Sequence, residues 1–469
     1  MTEHLLSVGI DLGTSTTQVI LSRLRVENQA NPFSVPRMAI TDREILYRSP
    51  IHFTPLLDGR TIDAEGVRRI VDGEYRAAGI IPSQVETGAV IITGETARKE
   101  NAEEVLAALS ALAGDFVVAT AGPDLESILA ARGAGADTLS RERHASVLHF
   151  DIGGGTANLA FFEEGELTAT GCYDIGGRLI RCNKVVDYVA PVLQNRFPHV
   201  QSGQSITKST LDSIVRDMAE TLAQAAGLLP ADERLTHYAT AGASPPAVFH
   251  PDFVTFSGGV ALCLWKPPPD WNLYGDIGPL LGEAVREVFT AHGGTILETR
   301  ETIRATVVGA GSYATELSGS TVFHREVPFP LKNIPILTLK EEEISQPPQK
   351  LASLLTQRLN RYADQSGQIQ PALSMKGFSS PGYRQVEALA EGLALGMEDW
   401  LAAGFFPIFI LENDMAKVLG QALSLRLKGP LLCLDGIAAT QGDYIDIGTP
   451  IAGGSVLPVV IKTLAFEKE

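Results

Sequence analysis

The sequence predicts an α/β chain built as two similar sheet-and-helix domains around a cleft, followed by a C-terminal α/β unit. Three observations lead there. Residues 5–23 and 147–161 share one grammar: an apolar strand ending in aspartate, a turn of small residues, and an apolar return strand. Around these hairpins, short apolar strands alternate with helical patterns, as βαβ crossovers require. Near 325–350 the composition shifts to Pro328, Pro330, Pro335, Pro347 and Pro348 with the acidic run Glu341-Glu342-Glu343, and beyond it the alternation resumes. The expected domains are 1–145, 146–328 and 329–469.

In chain order, Leu5, Leu6, Val8 and Ile10 make the first strand, Gly13-Thr14-Ser15-Thr16 the turn, and Val19-Ile20-Leu21 the return. Residues 25–43 read as turn-rich, and 45–53 as a third strand. Asp63 caps a helix with Val67, Ile70, Val71 and Tyr75 on one face. Ala89–Ile92 is a buried strand running into Thr93-Gly94-Glu95 and a helix over 97–113, and another strand and helix follow to Ala131. The second hairpin continues through a strand at 166–173, and 174–178 reads as the start of a helix. Thr207–Leu228 is an alanine-rich amphipathic helix, Phe253–Phe256 a strand, and 276–289 a helix. In the C-terminal unit, strands are expected at 335–339, 407–411 and 430–434, helices over 341–362, 384–402 and 413–427, and a strand-rich end over 443–467.

Composition narrows the function classes. With 38 basic and 55 acidic residues, the net charge of −17 opposes non-specific attraction to nucleic acid or anionic membrane. The four cysteines form no CxxC pair, which fits a reducing compartment and argues against a zinc site. The start MTEHLLSVGIDLG reads as a first strand and not as a signal peptide, and no uncharged apolar run approaches the ~18 residues of a membrane span. A cytoplasmic protein is expected.

The chemistry rests on the two turns. Asp-x-Gly-(x)-(x)-Thr occurs at 11 and again at 151, a spacing of 140 residues. No GxxxxGK[ST] string is present. A turn of glycines and hydroxyls between two strands still offers backbone N–H groups to an anion, and a carboxylate at the strand end can hold a hydrated cation. Asp11 and Asp151 are therefore the candidate Mg2+ ligands. Gly13, Thr14, Ser15, Thr16, Gly153, Gly154, Gly155 and Thr156 are the candidate phosphate contacts. The bland alternative for each aspartate is a turn cap. Gly258 and Gly259, after a short strand, form either a nucleoside contact or a strand-to-helix turn, and Gly309 and Ala310 read as close-packing, mechanical positions. His149, inside a strand, reads as a core histidine, and no HExxH or DxHxxG string occurs.

With these motifs in view, the chain resembles the actin, sugar-kinase and heat-shock-chaperone ATPase superfamily. Five segments carry the resemblance in order: Asp11–Thr16, Thr93-Gly94-Glu95, Asp151–Thr156, Phe256–Val260 and Ala305–Gly311. It implies an actin-like ATPase fold with two duplicated domains around a nucleotide cleft, with ATP and Mg2+ as cofactors. It places Glu95 near the γ-phosphate, where it orients or deprotonates the attacking water, alone or through Asp151. It also implies a hinge at connecting helices near 95–113 and 305–316. Within the superfamily, LLSVGIDLGTSTTQVI, TGETARKENAEEVL and GDYIDIGTPIAGGSVLPVVIKTLAF resemble the reactivating factors of ethanolamine ammonia-lyase. That resemblance implies an ATP-dependent, chaperone-like release of damaged cobalamin from the lyase so that adenosylcobalamin can rebind. Ethanolamine ammonia-lyase is then the partner, cobalamin is handled on the client, and a bacterial microcompartment is a further expected location. Homo-oligomerisation is left open. The competing classes are a small-molecule kinase, for which no substrate-binding base is identified, a nucleotide-dependent scaffold or filament, and a general chaperone, for which the tail offers no β-sandwich and lid.

Overall fold

The computed structural model describes residues 2–13, 16–29, 38–57, 61–92, 101, 105, 109, 118–120, 123–183, 185–241, 247–313, 315–318, 321–366, 370–441, 443–454 and 456–463. Its first sheet runs in space Met38–Arg48, Thr16–Asn28, Thr2–Leu12, Thr87–Ile92, Val118–Thr120, with His52–Phe53 pairing at the start of Thr16–Asn28. The first three strands are an antiparallel meander, and the last two add in parallel. A second sheet repeats this order: Glu166–Tyr173, Ala157–Glu163, Ser146–Ile152, Phe253–Ser257, Ile296–Leu297. Again a three-strand antiparallel meander is extended by parallel strands. Equivalence holds at the residue level: Asp11 sits opposite Gln18, and Asp151 opposite Asn158. This duplication is the actin-like ATPase fold.

Period-two alternation explains each opening strand. Val8, Ile10 and Leu12 face a core that includes Val67, Val71 and Tyr75 of the helix Ala64–Ala77, whose cap is the Asp63 carboxylate accepting from Gly66 N–H at 2.9 Å. In the second domain Phe150 stacks on Phe256 at 5.4 Å and meets Phe289 edge-on at 5.8 Å. Each such side chain, fully buried, contributes about 1.5–3 kcal/mol.

The opposite face of the first strand carries Gly9. A Cβ there would fall 2.3 Å from the Val307 carbonyl oxygen, so the helix Ala305–Tyr313 lies directly on the strand backbone. The same helix crosses Pro123–Ala134 at two more glycines. A Cβ on Gly133 would meet the Ala305 carbonyl at 1.9 Å, and one on Gly309 the Leu129 carbonyl at 1.9 Å. Pro123–Ala134 in turn bonds the second sheet: Ser127 Oγ donates to the Gly171 carbonyl at 3.3 Å and Thr170 Oγ1 to Asp124 at 2.6 Å. The two helices thus cross between the domains, each lying on one sheet. The crossing partner of 305–313 is therefore Pro123–Ala134. The helix expected over 97–113 lies outside the described residues except for 101, 105 and 109.

Other expectations shift for local reasons. The third strand is Met38–Arg48, earlier than expected, because it pairs along Thr16–Asn28 up to Asn28. No helix starts at 174–178; this segment is held against the 153–155 turn by backbone bonds. The helix expected over 341–362 is split into Glu341–Ile344 and Pro348–Ser366, because prolines 347 and 348 cannot donate to the preceding turn. Among the described residues, the third sheet has eight strands. Leu331–Leu339, Ala372–Met375, Ile408–Leu411 and Leu431–Leu434 form its parallel centre. Two of its strands, Glu316–Leu317 and Phe323–Arg325, come from the segment directly after the crossing helix. Among the described residues, no helix is long and apolar enough to cross a membrane.

Candidate functional site

The two hairpin turns are closed by the same bond. Gly13 N–H donates to the Thr16 carbonyl at 2.9 Å, and Gly153 N–H to the Thr156 carbonyl at 2.9 Å. At the first turn, Thr54 Oγ1 donates to the Gly13 carbonyl at 2.8 Å, which lays residues 52–54 alongside it. Thr14, Ser15 and Glu95 lie outside the described residues. At the second turn, Gly177 N–H reaches the Gly153 carbonyl at 3.0 Å and Arg178 N–H the Gly154 carbonyl at 2.7 Å. The carbonyl side of this turn is thereby occupied. Among the described residues, the N–H groups of Gly154 and Gly155 donate to no backbone carbonyl.

The glycines divide by what demands them. Gly258 has φ of +89°, and a Cβ there would lie 2.3 Å from the Ile152 carbonyl oxygen, so the strand-to-helix turn itself requires glycine. Gly153 and Gly154 have no such constraint; the nearest atoms to their Cβ positions are at 3.8 Å and 3.5 Å, ordinary contacts. Gly259 faces open space at the first turn of the helix Gly258–Trp265.

Asp11 and Asp151 occupy equivalent places near the ends of equivalent strands, and both are buried. Asp151 is held by two hydroxyls. Ser257, its register partner on the adjacent parallel strand, donates to Oδ1, and Thr306 of the crossing helix donates to Oδ2 at 3.1 Å. Burial pushes the Asp151 carboxyl above its ordinary range, and the two hydroxyls oppose that rise. Behind Ser257, His149 is fully buried with Nε2 2.8 Å from Ser257 Oγ and Nδ1 2.9 Å from Thr255 Oγ1. Burial holds this imidazole down to about 3, so it is a neutral core histidine, as the sequence predicts. Among the described residues no three His, Cys, Asp or Glu side chains gather as a metal cage. Mg2+ needs less: one or two carboxylates, with waters and phosphate oxygens completing its shell. Each Asp151 oxygen accepts one hydroxyl and retains a lone-pair direction, so this donor set fits hydrated Mg2+.

Three contributors escape sequence reasoning. Ser257 and Thr306 lie 106 and 155 residues from Asp151 in the chain, and no spacing rule joins them to it. Arg178 lies over the second turn, its side chain packed at the Gly154 Cβ position, and its Nε bonds Asp276 at 3.3 Å. Asp276 also accepts from Gly278 N–H at 2.9 Å, yet burial outweighs both partners and raises its carboxyl. The signal for Arg178 was the Gly176-Gly177-Arg178 string: a Cβ on Gly176 would meet the Gly154 carbonyl at 2.4 Å.

The family model for ethanolamine utilisation protein EutA matches residues 3–467. The chain belongs to the EutA family. Two curated members align over 99% of this chain and 99% of their own length. One, from Salmonella typhimurium, is 37% identical over 478 residues, and one from Escherichia coli is 38% identical over 482 residues; both are named ethanolamine ammonia-lyase reactivase EutA. Among solved structures, a Ppx/GppA family protein of Aquifex aeolicus aligns with 66% of the chain and 97% of its own, at 12% identity and a TM-score of 0.39. The EutA family match spans both hairpins and the third sheet alike.

Proposed function

We propose that this EutA family member is an ATP-dependent reactivase of ethanolamine ammonia-lyase, releasing tightly bound damaged cobalamin so that adenosylcobalamin can rebind. The observation that carries the client is the full-length match to two proteins named for that role. The nucleotide reading is supported by the twin turns. Glycines 153 and 154 answer no steric demand of the fold, and a phosphate approaching the N–H groups of the second turn supplies one. Gly13, Thr14, Ser15 and Thr16 form the matching half of the clamp, and the open space at Gly259 receives the nucleoside. Asp11 and Asp151 hold Mg2+ through water. When bound, the ion neutralises phosphate charge. Glu95 orients or deprotonates the attacking water, alone or through Asp151. Loss of the γ-phosphate releases one turn from the other, and the crossing helices 123–134 and 305–313 carry that change between the domains. The C-terminal unit, 329–469, is the client-facing or regulatory piece.

The test uses lyase inactivated with cyanocobalamin. The protein, ATP, Mg2+ and adenosylcobalamin are added, and deaminase activity is followed. Recovery that needs all four components is expected. No recovery from a preparation that hydrolyses ATP overturns the client assignment and leaves an ATPase of another purpose.

A further inference from the structure

Asp151 is held by two different bodies. On the Oδ1 side every partner belongs to its own sheet. Ser257 is the register partner of Asp151, and Thr255 of His149, on adjacent parallel strands. The direction of this chain follows from donor counting. An ionised carboxylate only accepts, so the single Ser257 hydroxyl proton points at Asp151. Ser257 Oγ must then accept from His149 Nε2–H, and His149 Nδ1 accepts from Thr255 Oγ1–H. All three side chains are fully buried, so no solvent competes and Oδ1 is fixed to the second sheet.

On the Oδ2 side the partner is Thr306, 8% exposed, one residue inside the crossing helix. That helix lies on the first sheet. It lies on Gly9; Val307 and Val308 pack with Ile20; and Ser312 Oγ bonds Ser22 Oγ at 3.2 Å. Thr306 lies in the first turn of that helix, where no preceding helical turn claims its hydroxyl, and it donates to Asp151 of the second sheet.

We propose that Thr306 is the positioning residue that couples Asp151 to movement between the domains: a ligand gathered at Asp151 shares Oδ2 with the Thr306 hydroxyl, and the Thr306 contact reports this to the helix Ala305–Tyr313. The inference rests on the nucleotide reading above. It assigns Thr306 no contact with substrate. It acts through Asp151, and the helix carrying it packs closely on the first-sheet backbone at Gly9.

Hydrogen exchange of residues 305–313 reads this directly, in the full chain with and without Mg2+ and a non-hydrolysable ATP analogue. In the wild type, nucleotide should change exchange in this helix by about fivefold or more, within the usual range of coupling between sites. Thr306→Val keeps the side-chain shape without the hydroxyl. It should bind the analogue with a dissociation constant within about threefold of wild type, lose the exchange response, and lower kcat for ATP hydrolysis with little change in KM. Thr306→Ser should restore the response. A wild-type helix that does not respond to bound analogue overturns the proposal even if Thr306→Val fails to fold. A full response in Thr306→Val, or none in Thr306→Ser, overturns it as well. If the wild type binds no nucleotide at all, the ATPase reading falls and takes this inference with it, an outcome the binding isotherm separates from the others.

Discussion

A Cβ placed on Gly258 meets the Ile152 carbonyl at 2.3 Å in a residue already at φ +89°, so Gly258→Ala combines a backbone clash with left-handed strain. The expected loss is about 1–3 kcal/mol, read as a lowered denaturation midpoint. An unchanged midpoint would mean that the strand-to-helix turn relaxes freely. Asp435, at the end of the strand Leu431–Leu434, gives the pH counterpart. It accepts from Ala416 N–H at 3.0 Å and from the Thr321 hydroxyl, yet burial raises its carboxyl above the ordinary 3.8. A raised carboxyl binds its proton more tightly in the folded state. Its stabilising contribution is complete below about pH 3.8 and is lost as pH rises through the folded value. Asp435→Asn removes this dependence. Its stability relative to wild type should therefore rise from pH 4 to pH 7.5 in urea titrations, and a flat difference would refute the assignment. At this scale the sequence was uneven. The equivalent strand-end places of Asp11 and Asp151 were legible because each ends an apolar run before a small-residue turn, a local pattern. Ser257 and Thr306 were not, because their partnership with Asp151 exists only once strand register and helix crossing are fixed.

The elements show the same division. Both hairpins, the helix capped by Asp63 and the strand Phe253–Ser257 could be read from apolar periodicity and punctuation. The identity of the crossing pair could not. Pro123–Ala134 carries little amphipathic pattern, because small residues let it pack on several sides: Ala130 and Ala131 are fully buried, and Gly133 faces the neighbouring backbone. Glycine in a helix normally signals weakness, but here Gly133 and Gly309 each make room for a carbonyl 1.9 Å from the Cβ position. Gly133→Ala and Gly309→Ala should each destabilise by about 1–3 kcal/mol through forced separation of the helices. Both act on one interface, so the double variant should cost less than the sum of the singles. Strict additivity in chemical denaturation would show that the two contacts are independent and that the helices do not move as one crossing.

Across the whole molecule, the connection between the first two sheets and the third decides how a change at the proposed nucleotide site would travel. The third sheet has large hydrophobic cores of its own on its two faces, and a smaller cluster joins its Leu317 to Leu5, Leu24 and Val26 of the first sheet. It is nevertheless stitched to the crossing helix. Glu316–Leu317, three residues after that helix, pairs with Pro458–Thr463, which pairs onward with Asp443–Ile447. Calorimetry separates the two arrangements these facts permit. A nucleotide present at about 100 times its dissociation constant adds about 2.7 kcal/mol to whatever unfolds with its site. For a body of this size, that raises a transition by roughly 5 °C. Separate cores should give two transitions, of which only the one belonging to the first two sheets moves with Mg2+ and nucleotide. If the strand pairing at Glu316–Leu317 dominates instead, both transitions move together. Disrupting that pairing with Glu316→Pro, which removes a strand N–H opposite Val459, should then restore independent movement. In the separate case, the proposed client-facing sheet receives a change at the nucleotide site through the segment after Tyr313 and its packing at Leu317. Reactivation should then be lost in Glu316→Pro, while ATP hydrolysis stays within about threefold of wild type.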